Sequence, residues 1–261
     1  MSFIADFISK KNETKEKILS IFLTAGFPDK TRFAELAVKV LDAGADMLEI
    51  GFPFSDPLAD GPTIQHSSQI ALENGVNLKK TFAYAAEIRK HTQKPLIMMG
   101  YANPVLSYGV KKFADDAKAA GVNGLIIPDI PIEEYDNFFD ESFDGLDTIL
   151  LITPTTTDAR IKLIDEKSSG FVYCVSISGT TGSSNKSISS TLDFLKNTYS
   201  TVRNNKMLVG FGISSENDVK TFAPHCDGVI VGSAVIKSLM NDDPNYSNTI
   251  DLIKKLKSSL I

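Results

Sequence analysis

Residues Glu49 to Gln65 read EIGFPFSDPLADGPTIQ. The stretch opens as a strand, with Met47, Leu48 and Ile50 apolar around Glu49. A charged residue inside a short apolar run is costly to bury unless something compensates it. The chain then breaks at Gly51 and Pro53, turns at Pro57 and reaches Asp60-Gly61-Pro62. Prolines at 53, 57 and 62 restrict the loop, so Glu49, Asp56 and Asp60 are held with less entropy left to lose. Pro62 suits the first turn of a following helix. The segment reads strand, acidic loop, helix. A solvated acid at a strand end, followed by plain Pro/Gly punctuation, is the bland alternative.

The same unit recurs along the chain. Apolar runs stand at 18–24 (ILSIFLT), up to Gly51 (AGADMLEIG), and at 95–99, 123–127, 147–152, 170–175, 206–210 and 227–231. Helical spacing fills 30–43, 62–74, 78–91, 109–120, 157–167, 187–200 and 214–223, weakly 131–143, and the stretch after the last run to the end. Residues 100–104 read as a loop. At the N-terminus Phe3, Ile4, Phe7 and Ile8 mark a short amphipathic cap helix, and not a signal peptide. Gly44, Gly121 and Gly228 each bridge a helix end to a strand, where glycine is the natural left-handed cap. Apolar runs without alternation suit parallel strands buried on both faces. Eight such βα units predict a closed (β/α)8 TIM barrel with extra helices in its βα segments, a single domain over 1–261. An open doubly wound sheet is the alternative, weakened because the first βα turn lacks GxGxxG.

The length of 261 residues fits one barrel of this class, which runs to about 250. Hydrophobic residues make up 43% and charged residues 23%, as in ordinary soluble proteins. The net charge of -5 without a basic block leaves no nucleic-acid footprint. No apolar run is long enough to span a membrane. Cys174 and Cys226 sit in apolar runs and read as buried free thiols of a reducing, cytoplasmic compartment. His66, His91 and His225 lack metal-ligand spacing, so no metal is assigned.

Function in such barrels gathers at the C-terminal ends of the strands. Those ends carry Glu49 with Asp60 beyond it, Tyr101 and Asn103, Asp129, and Tyr173. The last three loops offer Gly182, Gly210-Phe211-Gly212 and Gly232-Ser233. Glycines there allow close backbone approach, and free N–H groups at a helix start favour a phosphate. The same glycines also suit ordinary βα turns. Paired carboxylates with a phosphate cradle suggest acid/base chemistry on a small phosphorylated substrate.

LEIGFPFSDPLADGPTIQ resembles the signature of the tryptophan synthase alpha subunit, and the strand-6 loop, GFG and VGSA follow in that family's order. The resemblance implies retro-aldol cleavage of indole-3-glycerol phosphate to indole and glyceraldehyde 3-phosphate. It implies Glu49 as the residue that moves both protons and Asp60 as the anion facing the indole nitrogen. Tyr173 matches a pocket tyrosine that helps place Glu49. Phe22, Tyr101, Ile126 and Phe211 would wall the indole pocket, though each also suits a core. Thr181 matches the threonine that helps close the strand-6 loop over the aspartate. Gly182, Gly212, Gly232 and Ser233 would bind the phosphate. The resemblance further implies a beta-subunit partner in an alpha2beta2 assembly, met by Asp56, Pro57 and Asn103. The pyridoxal phosphate is expected in that partner, with no cofactor in this chain. One departure is Ile177, where many members carry an arginine; it bears on loop closure. Two other readings remain: a different phosphate-binding barrel enzyme, or a non-enzymatic subunit that activates a partner.

Overall fold

A computed structural model describes residues 2–176, 188–210 and 212–260. The elements run α1 (Phe3–Glu13), β1 (Ile18–Thr24), α2 (Phe33–Asp42), β2 (Met47–Gly51), α3 (Pro62–Glu73), α4 (Leu78–Arg89) and β3 (Leu96–Met99). They continue α5 (Ala102–Tyr108), α6 (Val110–Ala119), β4 (Gly124–Ile126), α7 (Tyr135–Phe138), β5 (Asp147–Ile152), α8 (Asp158–Lys167) and β6 (Phe171–Val175). The last third holds α9 (Ile188–Thr201), β7 (Lys206–Gly210), α10 (Glu216–Phe222), β8 (Gly228–Val231), α11 (Ser233–Met240) and α12 (Ser247–Ser258). The strands close in sequence order into an eight-stranded barrel, with β1 parallel to both β2 and β8. The open-sheet alternative is thereby excluded.

Alternation along each strand sorts its side chains into two cores. Leu19, Ile21, Leu48, Ile50 and Met98 face outward and pack under the helices. Ile18, Met47, Ile97, Ile126, Ile149, Phe171, Tyr173, Leu208 and Ile230 face inward and fill the barrel. The inner core also contains Ile4 and Ile8, so α1 plugs the N-terminal end as a cap. A Cβ on Gly124 would lie 2.8 Å from Ile4 Cδ1. Ser2 caps α1 and donates from Oγ to Asp147 Oδ2 at 2.6 Å, which ties the plug to β5. Among the described residues no helix is long and apolar enough to cross a membrane.

Several elements depart from the sequence reading. Residues 100–104 are not all loop, because α5 starts at Ala102 with Pro104 in its first turn. Proline is tolerated there, and Asp129 completes the start by accepting the Ala102 N–H at 2.9 Å. The weak helix over 131–143 is two 3₁₀ turns flanking the four-residue α7. The C-terminal helix is two helices, parted where Tyr246 takes φ 64° and Asp242 accepts the Thr249 N–H at 2.8 Å. The helix over 214–223 ends as α10 and closes with a 3₁₀ turn at Ala223–His225.

Gly44 and Gly121 do take positive φ, 123° and 77°, but Gly228 does not. Gly228 begins β8 against β1, where a Cβ would lie 2.5 Å from Ile18 Cβ and 2.7 Å from the Ile18 carbonyl oxygen. Its reason is close approach of two strands. Gly228→Ala should therefore overpack the barrel seam and cost about 1–3 kcal/mol. Urea unfolding reads this as a lower midpoint at unchanged slope. A loss within about 0.5 kcal/mol, as at an ordinary surface site, would show that the seam relaxes freely.

Candidate active site

Glu49 lies on the inward face of β2, between Met47 below and Gly51 above, in register with Phe22 on β1 and Ile97 on β3. It is 0% exposed. Oε1 accepts the Ser20 hydroxyl at 2.8 Å. Oε2 is buried and has no hydrogen-bond partner among the described residues. Burial therefore dominates and raises the carboxyl from 4.5 to about 7, with the Ser20 hydrogen bond pulling the other way. Such a group can both give and take a proton near neutral pH.

Asp60 is half-buried on the loop after β2. Burial raises it from 3.8 to about 6, and the Tyr101 hydroxyl offsets part of the rise. Tyr101 also accepts the Ala59 N–H at 3.0 Å and packs against Phe54, with ring centroids 5.5 Å apart. The Asp60 N–H donates to the Pro57 carbonyl at 3.0 Å, and Gln65 Nε2 donates to the Asp60 carbonyl at 2.9 Å. The loop is thus tied to β3 and α3 at the same place. Asp60, Phe22, Phe54, Ile64, Tyr101 and Pro128 line one cavity at the barrel mouth.

Glu49 does not line this cavity. It sits one inward position beneath Gly51, which does. Tyr173 links the two acids electrostatically: burial first, then the charges of Glu49 and Asp60, hold its hydroxyl well above the usual range. Three glycines at the mouth stand where rings need room. A Cβ on Gly51 would lie 2.4 Å from Phe22 Cζ, on Gly100 2.2 Å from Phe52 Cε2, and on Gly210 2.1 Å from the Tyr173 hydroxyl.

The structure brings together Glu49, Asp60, Phe22, Tyr101 and Tyr173 at one end of the barrel. Ile126 and Tyr173 belong to the inner core beneath the cavity. Gly232 precedes α11, Ser233 is its first residue, and the α11 start has no side-chain cap. Gly212 takes φ 78° after β7. Thr181, Gly182, Phe211 and Ile177 lie outside the described residues. Asp56 is exposed on the loop after β2, Pro57 is half-exposed beside it, and Asn103 is exposed on α5. Asp129 is engaged in starting α5. Cys174 and Cys226 are buried free thiols, and burial pushes Cys226 up to about 12. Ser20, Phe54 and Ile64 escaped the sequence reading. Ser20 carried the same signal as Glu49, a polar residue inside an apolar run, but in a weaker form.

A family described as tryptophan synthase alpha chain matches residues 8–259. The tryptophan synthase alpha chain of Christiangramia forsetii is 42% identical over 253 residues, covering 96% of this chain and 98% of its own length. That of Dehalococcoides mccartyi is 40% identical over 261 residues, covering 100% of both. Among solved structures, tryptophan synthase subunit alpha from Legionella pneumophila superposes with a TM-score of 0.91 at 30% identity, covering 100% of this chain and 98% of that one. A chain of M. tuberculosis tryptophan synthase in its aminoacrylate-bound form gives 0.89 at 30% identity, covering 100% of both. The match spans nearly the whole chain in sequence and in fold, and the chain belongs to the tryptophan synthase alpha chain family.

Proposed function

We propose that Glu49 and Asp60 carry the chemistry of this family at the barrel mouth. The family's reaction is a carbon–carbon lyase step that splits indole-3-glycerol phosphate into indole and glyceraldehyde 3-phosphate. Splitting needs a proton placed on indole C3 and one removed from the glycerol hydroxyl beside the breaking bond. In this reading Glu49 starts protonated and gives its proton to C3. The resulting carboxylate then takes the hydroxyl proton, the bond electrons return to the ring, and Glu49 ends as it began. A pKa near 7 serves both halves. Asp60 serves as the anion for positive charge developing at the indole nitrogen. Phe22, Tyr101, Ile126 and Phe211 wall the indole, Tyr173 helps place Glu49, and Thr181 helps close the strand-6 loop.

The observation that carries the reading is Glu49 Oε2, a fully buried carboxyl oxygen in an apolar barrel with no partner among the described residues. For the phosphate, support comes from a contrast between two helix starts. α10 satisfies its own with the Ser215–Asp218 capping box, whereas α11 begins at Gly232 without any side-chain acceptor. The α11 start is the better anion site, with Gly212 and Ser233 beside it, and the family resemblance would add Gly182, which lies outside the described residues.

Membership in this family implies a beta-subunit partner, and the pyridoxal phosphate of tryptophan synthase belongs to that subunit. The finer reading is an alpha2beta2 assembly in which this chain works without a cofactor, in the cytoplasm and as one barrel unit over 1–261. Asp56, Pro57 and Asn103 would face the partner. Beside them stand Leu58, 90% exposed, and Leu106, 57% exposed, large apolar side chains that gain by being covered.

Indole release by the purified chain, alone and with a beta subunit, tests the roles. Glu49→Gln should lower kcat by roughly 100- to 10,000-fold with the fold intact. Asp60→Asn should also be severe. Asp56→Asn should be milder alone, with its defect appearing as lost activation by the partner. If Glu49→Gln keeps more than about a tenth of wild-type turnover, the loss is too small for a general acid–base and the proton shuttle is assigned wrongly.

The raised carboxyl also makes a stability prediction. Folding favours the protonated form of Glu49, so its contribution is full below pH 4.5 and fades as pH rises through about 7. Glu49→Gln lacks that decline. Between pH 4.5 and 8 the variant should gain about 3 kcal/mol on the wild type, measured by urea unfolding at both pH values. An unchanged difference would mean that Glu49 titrates normally.

A further inference from the structure

Ser20 stands on the inward face of β1, two residues above Ile18 and two below Phe22. It pairs in register with Met47 on β2 and Ile230 on β8, so its neighbours in the barrel are apolar. It is 0% exposed. A hydroxyl in such a place is costly unless it finds a partner, and its hydrogen bond goes to Glu49 Oε1 at 2.8 Å. An apolar side chain would fill this position without that need. The hydroxyl therefore has a use that packing does not supply.

We propose that Ser20 is a positioning residue: its hydroxyl holds Glu49 by Oε1 and so reserves Oε2 for the proton transfers. This rests on Glu49 being the proton shuttle. The chemistry follows from the inventory of a carboxyl group. The oxygen that accepts the Ser20 donor is the poorer site for a proton, so the acid form carries its proton on Oε2, the oxygen without a partner. The bond also favours the carboxylate and offsets part of the rise caused by burial.

The other titratable groups acting near Glu49 are few. Tyr173 faces it from β6, and Asp60 lies on the loop after β2 with Tyr173 between them. From β3, β4, β5, β7 and β8 the inner core presents Ile97, Ile126, Ile149, Leu208 and Ile230, all apolar. Asp147 lies at the far end of the barrel, engaged by Ser2 and the Ile4 N–H. No cationic side chain acts on Glu49 among the described residues. Among the described residues Ser20 donates the hydrogen bond to the Glu49 carboxyl, with Tyr173 acting on it from across the barrel.

The test compares Ser20→Ala with Ser20→Thr, which restores a hydroxyl, and with Glu49→Gln. Indole release from indole-3-glycerol phosphate gives kcat and KM across pH, and ¹³C NMR of labelled glutamate carboxyls reads the Glu49 titration directly. Ser20→Ala should move the Glu49 midpoint, and the alkaline limb of kcat with it, to higher pH by about one unit. Plateau kcat should fall about three- to tenfold, the share of a lost hydrogen bond, while KM stays within about twofold. Ser20→Thr should return both readings toward wild type. Should the threonine variant melt early, the NMR midpoint of Ser20→Ala decides alone. A lower Tm for Ser20→Ala with an unmoved Glu49 midpoint and unmoved limb would reduce Ser20 to a packing residue. Failure of the underlying reading looks different: Glu49→Gln would then stay active, whatever Ser20 does to the midpoint.

Discussion

The barrel is organised around one unfavourable act, the burial of the Glu49 carboxyl where no cation among the described residues meets it. A lysine or arginine beside it would have fixed it as a carboxylate, because an opposite charge favours the ionised form. An exposed position would have left it ionised at neutral pH. Only an apolar enclosure with a weak polar partner brings a glutamate to about 7. The enclosure is the inner core, whose N-terminal end α1 fills with Ile4 and Ile8. The cap helix is therefore connected to the chemistry, although it lies at the opposite pole. Ile4 and Ile8 extend the apolar lining of the barrel toward that pole.

Burial raises both acids of the mouth, and a hydroxyl offsets part of each rise, but they are held in place by different means. Glu49 sits on a strand whose position the ladder fixes on both sides. Asp60 sits on a loop, and what holds it is Tyr101 on one side and the start of α3 on the other. Prolines at 53, 57 and 62 limit how far that loop can stray. Gly51 and Gly100 complete the arrangement by leaving space for the rings of Phe22 and Phe52. An alanine at either place would collide with a ring that lines the cavity shared with Asp60. Two raised carboxyls, one on a strand and one on the loop beyond it, are provided within one βα unit.

Most of this architecture was legible in the sequence because it is written in local patterns. Eight apolar runs of strand length, separated by helical spacing, admit few folds. Glu49 was conspicuous as a charge within MLEIG, and Pro62 marked the start of α3. What escaped depends on distant partners. The start of α5 relies on Asp129, which is 27 residues further on, so Pro104 looked like a break. The bend between α11 and α12 is fixed by Asp242 reaching Thr249 around a left-handed Tyr246. Gly228 looked like a cap because spacing shows a glycine's place in the chain, not the strand pressed against it. Ser20 lay within ILSIFLT, where a serine is too ordinary to attract notice until its distance to Glu49 is known.

The acids at the opposite pole show why burial alone does not make a reactive carboxyl. Asp46 accepts the Leu19 N–H at 2.9 Å and the Lys257 ammonium at 2.7 Å. Asp227 accepts the Met207 N–H at 2.9 Å. Asp147 accepts from the Ser2 hydroxyl and the Ile4 N–H. Each is as buried as a core residue, and each has its oxygens directed at backbone or charge that must be held. These carboxylates fasten strand starts and the two terminal helices. Glu49 differs in having, among the described residues, a buried oxygen without a donor. In a barrel that assigns stability to one end and function to the other, the separation is made at the level of single lone pairs. Donors are supplied to the acids that fasten strand starts and terminal helices, and one oxygen of Glu49 is left without one among the described residues.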